Sequence, residues 1–404
     1  MLRTLTDLNE IVTLKGAHQK DGRRLVPEDL SIIKDGAIVY DETKILWVGE
    51  TSRLPEQYRS LAQSMKGHVL TPEIVDSHTH IVFAGDRAQE YADRLSGVSY
   101  EEIAKRGGGI LLTMKQTNEA NREELFQSAC ERIERLFSYG IGTIEIKSGY
   151  GLNFDKEYEV SLIISELKKK YAPRIQIFNT YLAAHDVPKS FASSSSYMHE
   201  VVIPLLEKLA PLKVIDAVDI FHEKNYFDAA DVELLFTKAQ ELGIARKIHA
   251  DELNENGGAA LAAKYEALSA DHLLKISPEG ISALAGSKTV ASLLPGTAFF
   301  LGKPLAPAHA LLDGGAKVAL ASDYNPGSCH CDNLLLIASI ASAQMKINQA
   351  ELWSGITMNA AAALGLNKQG AIIPGMKPRF SLFKTESLSH ITYNWGRNFS
   401  VTLP

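Results

Sequence analysis

The stretch 70–80, LTPEIVDSHTH, decides the fold class of this 404-residue chain. It runs from a short apolar segment into a polar cluster that contains His78 and His80. Two residues separated by one position on an extended strand project to the same side, so these two imidazoles could share one divalent cation. A buried strand that ends in metal-binding side chains is typical of the catalytic edge of a parallel α/β barrel.

Seven further segments have the same strand-like character, and helical stretches lie between them. The predicted strands are 70–76, 142–147, 175–183, 217–221, 245–249, 267–270, 289–294 and 318–322. Apolar residues at helical spacing predict helices over 122–139 and 156–171. Strands that alternate with helices over about 250 residues predict an α/β fold, a (β/α)8 TIM-like barrel with a parallel sheet.

The two ends of the chain share a different pattern. IVTLKG, SIIKDGAIVYD and KILWVGE near the N-terminus are short β-rich runs separated by glycine and charged turns. AIIPGMKPRFSLFK and HITYNWG repeat this pattern near the C-terminus. Such runs are typical of small antiparallel domains. We therefore expect residues 1–68 and 365–404 to form one small composite β-sandwich domain, and residues 69–364 to form the barrel.

Composition excludes several classes of protein. The 45% hydrophobic and 22% charged residues are typical of a globular chain. With 42 Lys+Arg against 48 Asp+Glu, the net charge of -6 leaves no basic surplus for nucleic acid. No apolar run approaches the roughly 18 to 20 residues that span a bilayer. The N-terminus lacks a signal-peptide pattern, and three cysteines form no even disulfide framework, so we expect a cytoplasmic protein.

Three other predicted strands also end in polar side chains. The fifth ends in His249, with Glu252 three residues later, the sixth ends in Asp271 and His272, and the eighth in Asp323. Each alone has an ordinary explanation, such as a hydrogen-bonded buried histidine or an aspartate that caps a helix. Together with the first strand they place imidazoles and carboxylates at four strand ends, a donor set that zinc and iron(II) accept.

This donor set is suited to hydrolysis. A bound divalent ion lowers the pKa of water toward about 7 and can polarise a carbonyl group. A carboxylate beside that water could take its proton, and Asp323 and Glu252 are the candidates. His272 could stabilise a developing oxyanion. The sequence leaves open which of these groups takes the first proton.

Six motifs resemble the amidohydrolase superfamily: IVDSHTH, IVFAGDRAQEY, EIKSGYGL, AAHDVP, KIHADE and ASDYNPGS. The resemblance covers nearly the whole chain, including both terminal segments. His-x-His alone indicates only the superfamily. The segment around Arg87, the Ser-Gly-Tyr-Gly turn and Asn-Pro-Gly-Ser are similar to a more specific group of its enzymes. These enzymes hydrolyse the ring amide of 4-imidazolone-5-propanoate to N-formimidoyl-L-glutamate in histidine degradation.

The resemblance implies a barrel that holds one divalent metal ion per chain, zinc or iron. The residues that it implies as metal ligands are His78, His80, His249 and Asp323. The residues that it implies as catalytic are Glu252, His272 and Asp323. The residues that it implies for the substrate site are Arg87, Tyr150, His185, Glu252, Asn325, Gly327 and Ser328. It further implies a small anionic substrate and a homodimer.

The chemistry of the substrate agrees with this assignment. A propionate needs a fixed cation, and the planar guanidinium of Arg87 suits a carboxylate. Arg87 follows His80 by seven residues, so it can face the same mouth of the barrel. Glycines on both sides of Tyr150 permit a tight turn, and Gly327 permits close approach of the backbone to a ligand. The ordinary alternatives are a surface salt bridge for Arg87 and simple turns for the other two.

Several residues depart from the expected pattern. Some superfamily members carboxylate a lysine to bridge two metals, usually from a different strand, so we interpret Lys147 as a structural or pocket lysine. Cys329, His330 and Cys331 suggest a second metal site, but adjacent ligands on one short segment rarely converge. We interpret them as two buried thiols, which oxidation could modify, and a polar histidine. His222, where the family commonly has a smaller residue, could fill the pocket floor.

Two other functions fit part of the sequence. A deaminase of a cytosine- or guanine-like base in the same superfamily uses a similar set of metal ligands. Such an enzyme has little use for Arg87 as a carboxylate clamp. A catalytically inactive barrel that serves as a scaffold is the second alternative. Such relatives usually lose metal ligands, whereas this chain retains the full set together with Glu252 and His272.

Overall fold

A computed structural model of the chain describes residues 2–98, 102–103, 106–172 and 174–404. These residues contain one seven-stranded and one eight-stranded sheet. The strands are β1 (Arg3–Val12), β2 (Ile32–Tyr40), β3 (Ile45–Glu50), β4 (Ala62–Ser64), β5 (His68–Pro72), β6 (Ile74–Asp76), β7 (Ile141–Lys147), β8 (Gln176–Ala184), β9 (Ala217–His222), β10 (Ala245–Ala250), β11 (Ser269–His272), β12 (Val290–Leu293), β13 (Val318–Leu320), β14 (Phe380–Lys384) and β15 (Ser400–Val401).

The eight-stranded sheet is a parallel barrel. Its strands β6 to β13 lie side by side in chain order, and every neighbouring pair is parallel. The first and last strands meet through a parallel bridge between Thr79 and Tyr324. The amide of Asp323 donates to the carbonyl of His78 at 3.0 Å in the same seam. The predicted (β/α)8 barrel is confirmed, and closure at this seam brings the first and eighth strand ends together.

Helices cover the outside of the barrel and connect its strands. The α-helices are Lys15–Gln19, Glu56–Arg59, Ala88–Leu95, Ile110–Glu119, Arg122–Ser138, Phe154–Tyr171, Ser194–Tyr197, Ile203–Leu209, Ala229–Glu241, Gly258–Lys264, Pro278–Ala285, Pro295–Phe300, Ala308–Gly314, Leu334–Gln344, Gln349–Gly355, Met358–Ala362 and Leu388–Tyr393. A π-helical turn covers Met198–Val202, and 3-10 turns cover Pro27–Leu30, Thr51–Arg53 and Ala210–Leu212. In the part of the chain that the structure describes, no helix has the length and apolar character needed to cross a membrane.

The two helices predicted from apolar spacing form nearly where expected. Helix Arg122–Ser138 begins at Asn121, whose side chain accepts the amide of Glu124 while the Glu124 carboxylate accepts the amide of Asn121. This reciprocal pair is a capping box. Helix Phe154–Tyr171 begins at Asn153, and its apolar residues at spacings of three and four are buried against the barrel.

The terminal segments form a mixed sheet in the order β15-β14-β5-β1-β2-β3, with β4 paired to β1. The register of β1 shifts between Leu5 and Leu8, where Asp7 has a φ of +56°. Before this bulge β1 pairs with β4, and after it β1 pairs with β5. The expectation that both termini build one β structure is confirmed, but the strands form one continuous mixed sheet rather than the two packed sheets of a sandwich.

Two local predictions differ from the structure. The predicted strand 70–76 is divided, since β5 pairs with β1 and β14 whereas β6 pairs with β7 of the barrel. Pro72, at the end of β5, has no amide hydrogen with which to continue a ladder. HITYNWG contributes to helix Leu388–Tyr393 rather than to a strand, because Leu388 and Ile391, three residues apart, are both buried.

Candidate active site

The four residues predicted as metal ligands converge at the barrel mouth. The Nε2 atoms of His78 and His80 lie 3.2 Å apart, and each lies 3.5 Å from Oδ1 of Asp323. The ring of His249 lies with its centroid 4.6 Å from that of His78. One ligand atom from each of the three histidines falls within 4.8 Å of the others. All four side chains are buried, so their donor atoms face one another rather than bulk water.

Two carboxylates below the mouth orient the imidazoles. Nδ1 of His78 lies 2.7 Å from Oδ2 of Asp271, and Nδ1 of His249 lies 3.1 Å from Oδ2 of Asp219. A proton on Nδ1 directed at a carboxylate leaves Nε2 with a free lone pair, as in most metal-bound histidines. Nε2 of His249 is buried and has no hydrogen-bond partner among the described residues. An orphaned buried nitrogen of this kind needs a ligand to satisfy it.

The spacing of the donor atoms fits a divalent metal. Two nitrogen ligands at tetrahedral positions around zinc lie about 3.3 Å apart. The 3.2 Å between His78 and His80 and the 3.5 Å from each to Asp323 are close to that value. Without a cation, two imidazole lone pairs and a carboxylate at these distances would repel one another. The arrangement is therefore suited to hold a metal ion.

Asp323 is held in an unusual backbone conformation. Its φ is +51°, and its Oδ2 accepts the hydroxyl of Thr297 at 2.5 Å. The other oxygen, Oδ1, is thereby directed toward the imidazoles. Burial raises the pKa of Asp323 to about 6, against the lowering effects of Thr297 and His249. A nearby cation would favour the ionised form that binds a metal.

A layer of paired charges lies below the imidazoles. Nζ of Lys147 lies 2.7 Å from Asp219 and 2.9 Å from Glu145. Nζ of Lys247 lies 2.9 Å from Glu145 and donates to the carbonyl of Ser77 at 2.8 Å. Burial lowers the pKa of Lys147, but the charges of Asp219 and Glu145 outweigh it and raise that pKa above its usual range. Lys147 thus has the ion-paired, structural environment that the sequence predicted.

Glu252 and His272 lie beside this ligand cluster. Nε2 of His272 is 3.5 Å from Oε2 of Glu252, and the ring centroid of His272 is 5.1 Å from that of His249. His272 has a φ of +77°, a strained conformation that the surrounding structure must stabilise. Burial, and then the charge of Asp323, raise the pKa of Glu252 to about 8. Glu252 can therefore take up and release a proton close to neutral pH, whereas burial, and then the charge of His249, lower the pKa of His272 well below its usual range.

Arg87 lies against the Asn325–Ser328 turn. Its Nε donates to the hydroxyl of Thr113 at 2.9 Å. A Cβ placed on Gly327 would lie only 2.1 Å from Nη1 of Arg87, so only glycine admits the guanidinium here. Oδ1 of Asn325 accepts the amides of Gly327 and Ser328, each at 2.8 Å. The structure thus brings Arg87, Asn325, Gly327 and Ser328 together at one side of the mouth.

Tyr150 and His185 form one wall of the mouth beside His80. The ring of His185 stacks on His80 at a centroid distance of 5.1 Å and an angle of 14°. The Tyr150 ring lies 5.8 Å from His80 and 5.5 Å from His185. Burial lowers the pKa of His185 to about 3, so the imidazole is neutral. Its Nδ1 lies 3.0 Å from the carbonyl of Gly149, which leaves Nε2 as an acceptor for a ligand.

His222 and the two cysteines Cys329 and Cys331 do not belong to the cluster of metal ligands. Nδ1 of His222 donates to the carbonyl of Phe227 at 2.9 Å, and His222 lines a cavity of about 600 Å³ beside β9. Cys329 is buried and Cys331 partly exposed, and both are free thiols. Among the described residues, the groups with metal-binding geometry include neither cysteine.

Sequence reasoning missed several residues that support the site, and these are Thr113, Glu157, Asp219, Lys247 and Thr297. Two of them carried a readable signal. Lys247 stands two positions before His249, and residues two apart on a strand share a side. Asp219 is an acidic residue inside the otherwise apolar run of β9. A charged residue inside a buried strand indicates a paired interior charge.

The model of the amidohydrolase family matches residues 69–403. The chain therefore belongs to the amidohydrolase family, which is the class that the barrel and its histidine cluster define. Its relatives include the imidazolonepropionase of Paracoccus denitrificans (strain Pd 1222), 40% identical over 91% of this chain and 92% of the relative. That of Bacillus cytotoxicus (strain DSM 22905 / CIP 110041 / 391-98 / NVH 391-98) is 37% identical over 97% and 92%. Within the amidohydrolases, the chain belongs to the imidazolonepropionase family.

Known crystal structures share the fold. A triazine hydrolase variant has a TM-score of 0.74 at 15% identity, over 99% of this chain and 92% of that chain. An adenosine deaminase from Xanthomonas campestris with bound zinc has a TM-score of 0.72 at 15% identity, over 98% and 90%. At this identity the likeness concerns the fold alone.

Proposed function

We propose that the chain hydrolyses the ring amide of 4-imidazolone-5-propanoate to N-formimidoyl-L-glutamate in histidine degradation. The observation that carries this proposal is a positively charged side chain, Arg87, beside the metal-binding cluster. Arg87 lies against Gly327. Gly327 follows Asn325 by two residues and the metal ligand Asp323 by four. A substrate with a ring amide at one end and a carboxylate at the other fits this arrangement. The family of the relatives points to the same substrate.

The proposed metal ligands are His78, His80, His249 and Asp323. A divalent ion held there, zinc or iron, would lower the pKa of water and polarise the amide carbonyl. The protein's contribution is to fix the four donor atoms. Asp271 contacts Nδ1 of His78, and Asp219 contacts Nδ1 of His249. The hydroxyl of Thr297 donates to Oδ2 of Asp323. One ion per chain accords with an ion-paired Lys147, which is not free to bridge a second.

The proposed catalytic groups are Glu252, His272 and Asp323. Water attacks the amide carbon, and Glu252 takes its proton and passes it to the ring nitrogen that leaves as the carbon–nitrogen bond breaks. A carboxyl group with a pKa of about 8 can hold and release that proton near neutral pH. His272, 3.5 Å from Glu252, stabilises the negative charge that develops on the carbonyl oxygen.

The remaining residues orient the substrate. Arg87 binds the propionate, because a guanidinium recognises a carboxylate with two parallel hydrogen bonds. Neutral His185 and the hydroxyl of Tyr150 contact the polar edge of the ring. The turn formed by Asn325, Gly327 and Ser328 brings backbone close to the substrate, because Gly327 has no side chain. These contacts hold the ring amide at the catalytic groups.

An assay of substrate choice tests this proposal. The purified enzyme is expected to consume 4-imidazolone-5-propanoate and to leave cytosine and guanine unchanged. Arg87→Met is expected to raise KM about 100-fold, since it removes a charge-assisted pair worth roughly 1.5–3 kcal/mol. Arg94→Met is the matched control, because Arg94 follows in the next helix and stacks on Phe300 at 4.9 Å. Deamination of a base, or an unchanged KM in Arg87→Met, would contradict the proposal.

A homodimer and a cytoplasmic location stay predictions of the sequence, as do the domain boundaries 1–68 with 365–404 and 69–364. The choice between zinc and iron also stays open, because histidine and carboxylate ligands suit both. Metal analysis of the purified protein decides the last point.

A further inference from the structure

Glu157 is a fully buried carboxylate at the start of helix Phe154–Tyr171. Its neighbour Asp155 is exposed, as acidic residues in a first helical turn usually are. The helix does not need Glu157 as a cap, because the side chain of Asn153 already accepts the amide of Lys156. The burial of this charge therefore has another cause.

The Glu157 carboxylate accepts its hydrogen bonds from the turn that precedes the helix. Its Oε1 accepts the amides of Gly151 at 2.6 Å and Leu152 at 3.0 Å, and its Oε2 accepts the amide of Gly149 at 3.0 Å. The hydroxyl of Ser148 also hydrogen-bonds to this carboxylate and accepts the amide of Leu182 at 3.0 Å. One side chain thus satisfies most of the amides of a five-residue turn.

That turn carries Tyr150, and Glu157 binds the amides on both sides of it. Gly149 has a φ of +114°, and a Cβ there would lie 2.7 Å from the carbonyl of Leu182. The carbonyl of Gly149 in turn lies 3.0 Å from Nδ1 of His185. The Glu157 carboxylate is therefore connected through backbone atoms to the two rings of one wall of the site.

We propose that Glu157 is a positioning residue for substrate binding, which acts through the 148–152 turn on Tyr150 and His185. It fixes the height of the Tyr150 ring in the mouth and the direction of the Gly149 carbonyl. That carbonyl selects the His185 tautomer with hydrogen on Nδ1, so that Nε2 accepts from the substrate. This inference rests on the proposed function, since it assigns both rings to the substrate site.

The test compares Glu157→Gln with wild type on 4-imidazolone-5-propanoate. Glutamine keeps the shape of the side chain but directs an NH2 group at backbone amides that also donate. We expect KM to rise about tenfold or more, with a smaller fall in kcat and unchanged metal content, and the thermal midpoint should fall because buried backbone donors lose their acceptor. Asp231→Asn is the matched control, because Asp231 is also buried and accepts a backbone amide, that of Asp228, at 3.2 Å. It should leave KM unchanged.

A double-mutant cycle with Tyr150→Phe separates positioning from a general loss of structure. If Glu157 acts through the turn, the double variant loses less in kcat/KM than the product of the two single losses. Ser148→Ala, which removes one hydroxyl, provides a milder variant should Glu157→Gln fail to fold, and a rise in KM of about threefold is expected.

Three results overturn the inference. They are an unchanged KM in Glu157→Gln, an unchanged KM in Ser148→Ala, or a double variant whose loss in kcat/KM equals the product of the losses in Glu157→Gln and Tyr150→Phe. A wild-type enzyme that does not hydrolyse the substrate contradicts the proposed function instead, so the two failures are distinguishable.

Discussion

Two layers of buried polar groups lie one above the other in this barrel, and they differ in how their atoms are paired. In the lower layer, Lys147 lies 2.7 Å from Asp219 and 2.9 Å from Glu145, and Lys247 lies 2.9 Å from the same Glu145. In the upper layer, three imidazoles and Asp323 direct lone pairs at one another, and Nε2 of His249 has no partner among the described residues. The lysines of the lower layer are ion-paired within the protein, whereas the lone pairs of the upper layer converge on a position that a metal ion would satisfy.

The difference separates stability from function. A buried charge stabilises a fold only when its partner is present, and removal of one partner leaves an uncompensated charge. Changes in the lower layer should therefore act on folding. Changes in the upper layer should act on metal binding and catalysis, and should leave the unfolding free energy of the metal-free protein nearly unchanged.

The largest effect is expected for His249→Ala in the upper layer. His249 supplies one of the four ligands, and its Nε2 atom has no other partner among the described residues. Its loss should therefore lower kcat/KM by about 1,000-fold or more, which is roughly 4 kcal/mol. Activity and metal content, measured on the same preparation, check this. A His249→Ala enzyme with full metal content and full activity would remove the upper layer from the mechanism.

Lys147→Met tests the lower layer. It leaves Glu145 and Asp219 without one of their cations, so the free energy of unfolding should fall by roughly 3–5 kcal/mol. Lys115→Met is the control, because Nζ of Lys115 lies 4.0 Å from Glu119 with both side chains exposed, and such surface pairs contribute about 1 kcal/mol or less. Denaturant titrations measure both. Equal losses in the two variants would show that the lower layer is not a structural support.

Glu252→Gln lies at the boundary of the upper layer. Loss of the proton carrier should lower kcat by about 100- to 10,000-fold with little change in metal content. A carboxylate accepts a proton only when ionised, so wild-type kcat/KM should rise as pH rises through the pKa of Glu252, which is about 8 in the metal-free protein and which a bound cation lowers. The variant should lack this rise. Retention of full turnover by Glu252→Gln would overturn its role.

Asp271 joins the two layers, and Asp271→Asn should have the smallest effect. Nδ1 of His78 would lose its carboxylate partner at 2.7 Å, which typically weakens metal affinity about 10- to 100-fold. Competition with a chelator measures this directly, and added metal should restore most of the activity. If affinity is unchanged, the orientation of His78 does not depend on Asp271.

Much of the fold was predictable, because strand and helix periods alternate along the chain and the strand ends carry polar residues. The division of 70–76 into β5 and β6 was not, since a run of apolar residues does not tell which sheet a strand joins. The helix at Leu388–Tyr393 was also missed, because its buried face consists of only Leu388 and Ile391.

The site was predictable to the extent that each residue lay at a strand end. His78, His80, His249 and Asp323 could be grouped because parallel strands end at one edge. The residues that support them could not be grouped, since a pairing such as that of Lys147 with Asp219 joins residues 72 positions apart on two strands that are separated by β8. Glu157 was missed for a related reason, because its sequence position is typical of an exposed first helical turn.

We propose that the upper layer becomes a hydrolytic site when it holds one metal ion. The most direct measurement is the rate of loss of 4-imidazolone-5-propanoate by enzyme depleted of metal and then restored by titration with zinc or iron(II). We predict loss of activity on depletion and full recovery at one ion per chain. Full activity in metal-free enzyme, or recovery that requires two ions per chain, would contradict the account.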